Sequence, residues 1–593
     1  MNFDFNSQLL SAHRDFQNGS LDESQQKLEK LLKIQSNNVD VLFILAVIYG
    51  IKKNHQAAMV LLEKAVKKQP NNSDINLNLA KAYLELDFNS KAIKLLEKIV
   101  RINSNNTEAW NYYGLSLLKV GENNKALECF NKAININENH THALLNKSIA
   151  LNNNGEFEKA LELINSLIKK DEKNIIILFN KGVFLLKKEL YEDSIILFNR
   201  CIEINQFCSD AYCHRGIALQ KVGSIKESLI DFDKCLEMDD KNLKCLINKG
   251  ISLYYIKELD NAKKLFEHVI NLNPSNEDAH YNLSLVLLEN LDFDQGWKEY
   301  EYRFNASNFK TKNEFQNLKK WSGELSINNL LIWSEQGIGD QILFLTVLND
   351  ITIDFNKITL LVPLKLVDIV SEIFPNIKVI SEIGNEDLNK FDAQLPIGGL
   401  AALYRNSINK FPKKVELLKI NNIKNSAINK FIQNTEGLKI GISWKSTNDN
   451  YGKHKSIELC ELVNFALDRK LTFINLQYGN VFDEISSVNQ NSNHIINICH
   501  EVDLYDDLRG LLELIHNCDI VITTSNTTAH MVGAMGKEAI LLIPYSYGSL
   551  WYWNEVNAHS LWYPSIKILR QKCQGNWTEP IKDMIKFLKD KYD

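Results

Sequence analysis

The stretch "TEAWNYYGLSLLKVGENNKALECFNKAININENH" (107–140) decides how the first half of this chain is read, because it repeats. Laid along the sequence, its eighth position becomes Ala12, Ala46, Ala80, Gly114, Ser148, Gly182, Gly216, Gly250 and Ser284, each 34 residues beyond the last and each small. Its twentieth position is also always small, from Ser24 and Ala58 through Ser228 and Ala262 to Gly296. Its twenty-fourth is always large: Leu28, Leu62, Leu96, Phe130, Ile164, Phe198, Phe232, Phe266 and Tyr300. Small residues at two positions let antiparallel helices approach closely, and a large one fills the space beside them. Pro70 and Pro274 fall two residues before a unit's end, where a helix has to stop.

This pattern resembles the tetratricopeptide repeat over residues 5–310, in nine units without insertion. The resemblance implies stacked helical hairpins forming a superhelix with a concave groove. Position 6 of the unit holds Asn78, Asn146, Asn180, Asn248 and Asn282, interrupted by Leu10, Ile44, Tyr112 and His214. A carboxamide donates to and accepts from a peptide backbone at once, so these asparagines are candidates for a peptide-binding groove. They resemble the asparagine ladder of O-GlcNAc transferases. The alternative is a plain scaffold.

Outward from the array, bulk properties narrow the classes. At 593 residues the chain exceeds what one hydrophobic core usually serves. Apolar content of 45% and charged content of 24% are those of an ordinary globular protein. A net charge of −5 gives no positive field for nucleic acid. No apolar run is long enough for a membrane span, and the start "MNFDFNSQLLSAHRDF" has no basic n-region or apolar h-region. The ten cysteines include no C-x-x-C pair. Reduced thiols and a cytoplasmic location are therefore expected, with no metal site. Asparagine is abundant throughout, so a single asparagine carries little information.

Beyond residue 321 the pattern becomes alternating. Short β-rich runs such as "NLLIWSE" (329–335), "KITLLVP" (357–363), "LKIGISW" (438–444), "DIVITT" (519–524) and "EAILLIP" (538–544) are separated by amphipathic helices. Alternation implies parallel sheets covered on both faces. The expected fold class is α+α/β: an all-α superhelix followed by two Rossmann-like lobes, 321–425 and 438–593, joined by a linker at 426–437.

Three loops could carry chemistry. "SEQGIGDQ" (334–341) places Gly337 and Gly339 at a strand-to-helix turn, where a ligand can approach the backbone. Asp340 either caps that helix or acts as a base. "TTSNTTAHMVGAMG" (523–536) gathers Ser525, Asn526, Thr527 and Thr528 at a helix start, a setting suited to a diphosphate, with His530 one turn on. "SWKSTNDNYGKHKSI" (443–457) supplies Lys445, Lys453, His454 and Lys455, which either neutralise phosphate or form a solvated loop.

Together, "GIGDQILF", "GISWKS", "HKSIEL", "FINLQYG", "DIVITTSNTTAHMVGAMGK" and "ILLIP" resemble GT-B glycosyltransferases that carry tetratricopeptide repeats, and above all the ADP-heptose:lipopolysaccharide heptosyltransferases. "WYWNEVNAHSLWYPSIKILRQ" is similar to the C-terminal signature of such repeat proteins. The resemblance implies Asp340 as acceptor-activating base. It implies a donor site at Gly337, Gly339, Lys445, Lys455, Ser525, Asn526, Thr527, Thr528 and His530. The family commonly has Asp where Asn526 stands. No D-x-D follows residue 321, so no metal or other cofactor is expected, only a nucleotide-sugar co-substrate. The expected function is metal-independent glycosyl transfer to a protein or glycan acceptor recruited by the repeats. The rival is a non-catalytic repeat adaptor with a degenerate sugar-nucleotide domain.

Overall fold

The computed structural model describes residues 4–420, 424–446, 452–491, 494–545 and 547–593, with backbone only at 385–386. Helices α1 to α18 run from Phe5–Gln17 to Phe293–Tyr300; α1 to α12 pair as successive hairpins, and so do α15 with α16 and α17 with α18. The chain divides into two compact units, 1–218 and 219–593, so the division falls inside the repeat array and not at the change of secondary structure.

In the first unit, period-34 chemistry builds each hairpin. A Cβ added to Gly114 would lie 2.5 Å from the Phe130 ring, and one added to Gly182 would lie 2.7 Å from Phe198. Where the large residue is Leu or Ile (Leu28, Leu62, Leu96, Ile164), the small partner is Ala or Ser (Ala12, Ala46, Ala80, Ser148). The pair is therefore matched in volume within each unit, as close packing demands. The asparagines set aside as background prove informative. Asn38, Asn54, Asn72, Asn106 and Asn174 are N-caps whose side-chain oxygens accept backbone N–H groups of the following turn. His140 takes the same role through Nδ1, 3.1 Å from the Ala143 N–H.

The second unit continues the same pairing, a Cβ on Gly250 lying 2.6 Å from the Phe266 ring, and its N-caps Asn242 and Asn276 are of the same kind. It then becomes α/β. The first lobe has β1 (Leu330–Trp333), α19 (Ile338–Leu345), β2 (Ile358–Leu361), α20 (Leu364–Ile373), β3 (Lys378–Ile380), β4 (Ala393–Pro396) and α21 (Gly399–Tyr404). Its sheet is parallel, in the order β3-β2-β1-β4. The segment 426–437 contains a helix, α22 (Ser426–Gln433).

The second lobe has β5 (Leu438–Ser443), α23 (Gly452–Lys455), α24 (Leu459–Val463), β6 (Leu471–Asn475), α25 (Phe482–Asn491), β7 (Ile496–Asn497), α26 (Leu508–Asn517), β8 (Ile520–Thr524) and α27 (Thr527–Ala534). It ends with β9 (Ala539–Ile543), β10 (Glu555–Val556), β11 (His559–Ser560), β12 (Ile566–Arg570) and α28 (Thr578–Tyr592). The sheet order is β10-β11-β12-β9-β8-β5-β6-β7, parallel from β12 to β7. One apolar core joins Leu288, Phe293, Trp297 and Tyr300 of the last repeat to both lobes, reaching Ile568. The Trp297 indole N–H donates to the Arg405 carbonyl at 2.9 Å inside this core. The end of the array is thus part of the α/β body and not a tether to it.

Candidate functional site

Strand order reverses between β1 and β4 in one sheet and between β5 and β8 in the other. Such reversals open a crevice at the carboxyl ends of the strands, where open α/β sheets take ligands. The turn after β1 and the turn after β8 both lie there, and α19 packs against α27. The two turns meet closely: a Cβ on Gly339 would lie 2.7 Å from the His530 ring. Only glycine permits that approach.

The β1 turn is held by the tail of the repeat array. Arg303 and Glu335, both buried, form a bidentate pair at 2.7 and 3.0 Å, and Glu335 also accepts the Gly398 N–H at 2.8 Å. Gln336 adopts a left-handed φ of 63°. Its N–H donates to the Thr311 hydroxyl at 3.0 Å and its amide to the Tyr300 hydroxyl at 2.9 Å. Strain of this kind costs on the order of 1–3 kcal/mol and persists only where surroundings enforce it. Asp340, half-buried, accepts the Gly337 N–H at 3.2 Å and is influenced by the neighbouring Tyr552 hydroxyl. It therefore caps the helix, and the cap leaves it within the electrostatic reach of Lys455. Burial raises the carboxyl's pKa, while Gly337, Tyr552 and Lys455 oppose the rise.

Lys455 is 4% exposed, and among the described residues its ammonium has no hydrogen-bond partner. Burial lowers its pKa to about 8 against the attraction of Asp340. His530 is buried beside Tyr552, Trp553 and Tyr563, with Nδ1 3.2 Å from the Tyr563 hydroxyl. Burial, then the Lys455 charge, drives its pKa to about 3, so the imidazole is neutral.

The other expected donor contacts differ in what they have left to offer. Asn526 caps α27 through the Ala529 N–H at 3.2 Å, accepts from Thr523, and donates to the Ser443 hydroxyl at 2.8 Å and the Lys445 carbonyl at 3.1 Å. It stitches β8 to β5 across the strand-order reversal, which needs the two amide donors that an Asp lacks. Ser525 accepts from the Trp553 indole at 2.8 Å. Thr528 is fully buried. Thr527 is half-buried at the mouth of the turn. Lys445 is ion-paired with Glu484, and its backbone N–H donates to Gln477 at 2.8 Å. Residues 447–451 of the lysine loop lie outside the described residues. Gln477 also lines a cleft of about 260 Å³ with Tyr478, Phe482, His500 and Leu504, beyond the ends of β6 and β7.

The groove asparagines fall in both units: Asn78, Asn146 and Asn180 in the first, Asn248 and Asn282 in the second. Asn78, Asn180, Asn248 and Asn282 donate to the carbonyl four residues back in their own helices, at 2.7–2.9 Å. Asn146 donates to Asn111 at 2.9 Å. Sequence reasoning did not single out Tyr552, Tyr563, Glu335 or Arg303. The two tyrosines lie within "WYWNEVNAHSLWYP", whose density of aromatic rings was the available signal.

The fold and site define a tetratricopeptide-repeat protein with a C-terminal α/β region. Models of the tetratricopeptide repeat match residues 52–113, 107–140, 209–242 and 243–276. Among individual proteins, Protein FlbA of Caulobacter vibrioides is 25% identical over 317 residues, covering 50% of this chain and 52% of its own, so the chain spans about half the length of that curated relative. A tetratricopeptide repeat protein from Parabacteroides merdae superposes with a TM-score of 0.39 at 17% identity, over 42% of this chain and 98% of its own. MamA superposes with a TM-score of 0.26 at 25% identity, over 27% of this chain and 95% of its own. Among the described residues no helix is long and apolar enough to cross a membrane.

Proposed function

We propose that the α/β region is a glycosyltransferase using a nucleotide-diphosphate sugar, and that the repeats recruit its protein or glycan acceptor. The observation that carries the proposal is Lys455: a lysine 4% exposed, with no hydrogen-bond partner among the described residues, within electrostatic reach of a carboxylate of raised pKa. A largely desolvated charge with no close counter-ion is costly, and an anionic ligand offsets the cost. In the proposed reaction Asp340 accepts the acceptor's hydroxyl proton. The freed oxygen forms a bond to the anomeric carbon as the bond from that carbon to the diphosphate oxygen breaks. Lys455 and the first N–H groups of α27 meet the charge on the departing diphosphate. The 260 Å³ cleft beside Tyr478 and His500 is of a size for part of a nucleoside. One displacement by one base predicts inversion at the anomeric carbon.

The test is release of nucleoside diphosphate from a panel of nucleotide sugars. Asp340→Asn should lower the rate at least about a hundredfold with binding retained, and Lys455→Ala should weaken donor binding.

The second reading is a repeat scaffold whose α/β region does not turn over substrate. The internal satisfaction of Ser525, Asn526 and Lys445 favours it. Donor binding without diphosphate release, with any acceptor tried, decides for the scaffold.

A further inference from the structure

The lysine that carries the proposed function has a support problem. It closes α23, a helix of only four residues. One helical turn does not hold itself in water. A charged ammonium on a short, weakly held helix tends toward solvent, yet Lys455 stays 4% exposed. Something outside the loop must fix it.

The neighbours that do so trace back to the repeats. The His454 ring meets Tyr547 edge-on, with centroids 4.8 Å apart at 89°. Tyr547 in turn meets Tyr255 edge-on, at 4.8 Å and 81°. Tyr255 ends the helix Leu243–Tyr255 of the array. A second repeat touches the same histidine: a Cβ on Gly223, in the turn before the helix Ile225–Met238, would lie 3.1 Å from His454 Cε1. The segment after Tyr547 closes the other side. Gly548, at φ 92°, would place a Cβ 3.3 Å from Lys455 Cγ. Arg570 secures that segment by donating to the Ser549 hydroxyl at 2.9 Å and the Trp553 carbonyl at 3.1 Å.

We propose that the repeat array supplies a positioning residue for the anion site: Tyr255, acting through Tyr547 and His454, holds the segment that keeps Lys455 packed against Gly548. The proposal rests on reading Lys455 as the donor's counter-charge. It adds that the α/β region does not complete this site alone. Edge-to-face ring contacts suit the task because they fix both distance and angle.

The test uses the full chain and needs no nucleotide sugar. Tyr255→Ala, Tyr255→Leu and Tyr255→Phe are compared by two readouts. The first is amide exchange in the 452–458 peptide, with 471–475 of β6 as internal control. The second is the titration midpoint of Lys455, followed by NMR of 13C-dimethylated lysines and assigned with Lys455→Arg. Among the described residues, Asp340 and His530 are the groups electrostatically coupled to Lys455, and both remain in every variant. In Tyr255→Ala and Tyr255→Leu the loop peptide should exchange at least about tenfold faster, with β6 unchanged. The midpoint should rise from about 8 by roughly one unit as water reaches the ammonium. Tyr255→Phe, which keeps the ring, should lie closer to the parent than Tyr255→Leu in both. If Tyr255→Ala loses the fold, as the β6 control will show, Tyr255→Leu decides. A folded Leu variant with parental loop exchange and an unmoved midpoint overturns the proposal. Failure of diphosphate release in the parent chain sinks the enzyme reading and leaves these outcomes unaffected.

Discussion

The repeat array and the α/β site use one device, a glycine pressed against a ring, and use it differently. In the array Gly114, Gly182 and Gly250 face Phe130, Phe198 and Phe266, each with space too small for a Cβ. At the site Gly339 faces His530 with the same closeness. The array contact joins residues sixteen apart in sequence and recurs with the period. The site contact spans nearly two hundred residues and occurs between two turns that the sheets bring together. The first is a packing solution that any unit can vary, trading Gly and Phe for Ala and Leu. The second is tied to a constellation of Arg303, Glu335, Asp340, Lys455, Tyr552 and Tyr563 in which each polar group depends on a neighbour.

That contrast can be broken at several points. The largest effect is expected at Glu335→Ala, which leaves the buried Arg303 charge uncompensated and frees the Gly398 N–H. A loss of about 3–5 kcal/mol is expected, read by urea denaturation of the full chain. The unfolding of repeats in the first unit should shift far less.

Next is Lys455→Met, which should stabilise the protein. The folded-state pKa of Lys455, about 8, lies below the ordinary lysine value, so folding opposes the charged form. Between those two values the unfolded chain binds more protons, and the stability of the parent rises with pH. The variant's advantage should therefore be full near pH 7, up to about 3 kcal/mol, and should vanish near pH 11. An advantage independent of pH would refute the assignment of a buried charge.

The smallest effect sharpens the array side. Gly182→Ala should cost about 1–3 kcal/mol by overpacking against Phe198. Gly182→Ala with Phe198→Leu should recover most of it, because that pair already stands in the chain as Ala46 with Leu62. A double variant no more stable than Gly182→Ala would show that the matching of volumes is incidental.

The groove residues show how far a pattern reads. Their spacing places Asn78, Asn180, Asn248 and Asn282 on first helices, but their amides donate within their own helices. The asparagines with the more evident structural task, Asn72, Asn106 and Asn174 among them, stand at the ends of most units as caps. Both sets share the same period, so periodicity alone could not tell surface from cap.

The sequence by itself determined the repeats, their register and the strand–turn–helix units, because those rest on contacts within about one period and on backbone preferences local to each turn. It also marked Gly337, Gly339, Asp340, Lys455 and His530 as candidates. The tertiary structure decided that Asp340 lies under the influence of Tyr552, that Lys445 is claimed by Glu484 while Lys455 is not, and that Arg303 of the array's tail locks the first turn. Those facts depend on burial and on partners brought from distant segments, and a charge's environment is set by what surrounds it in space.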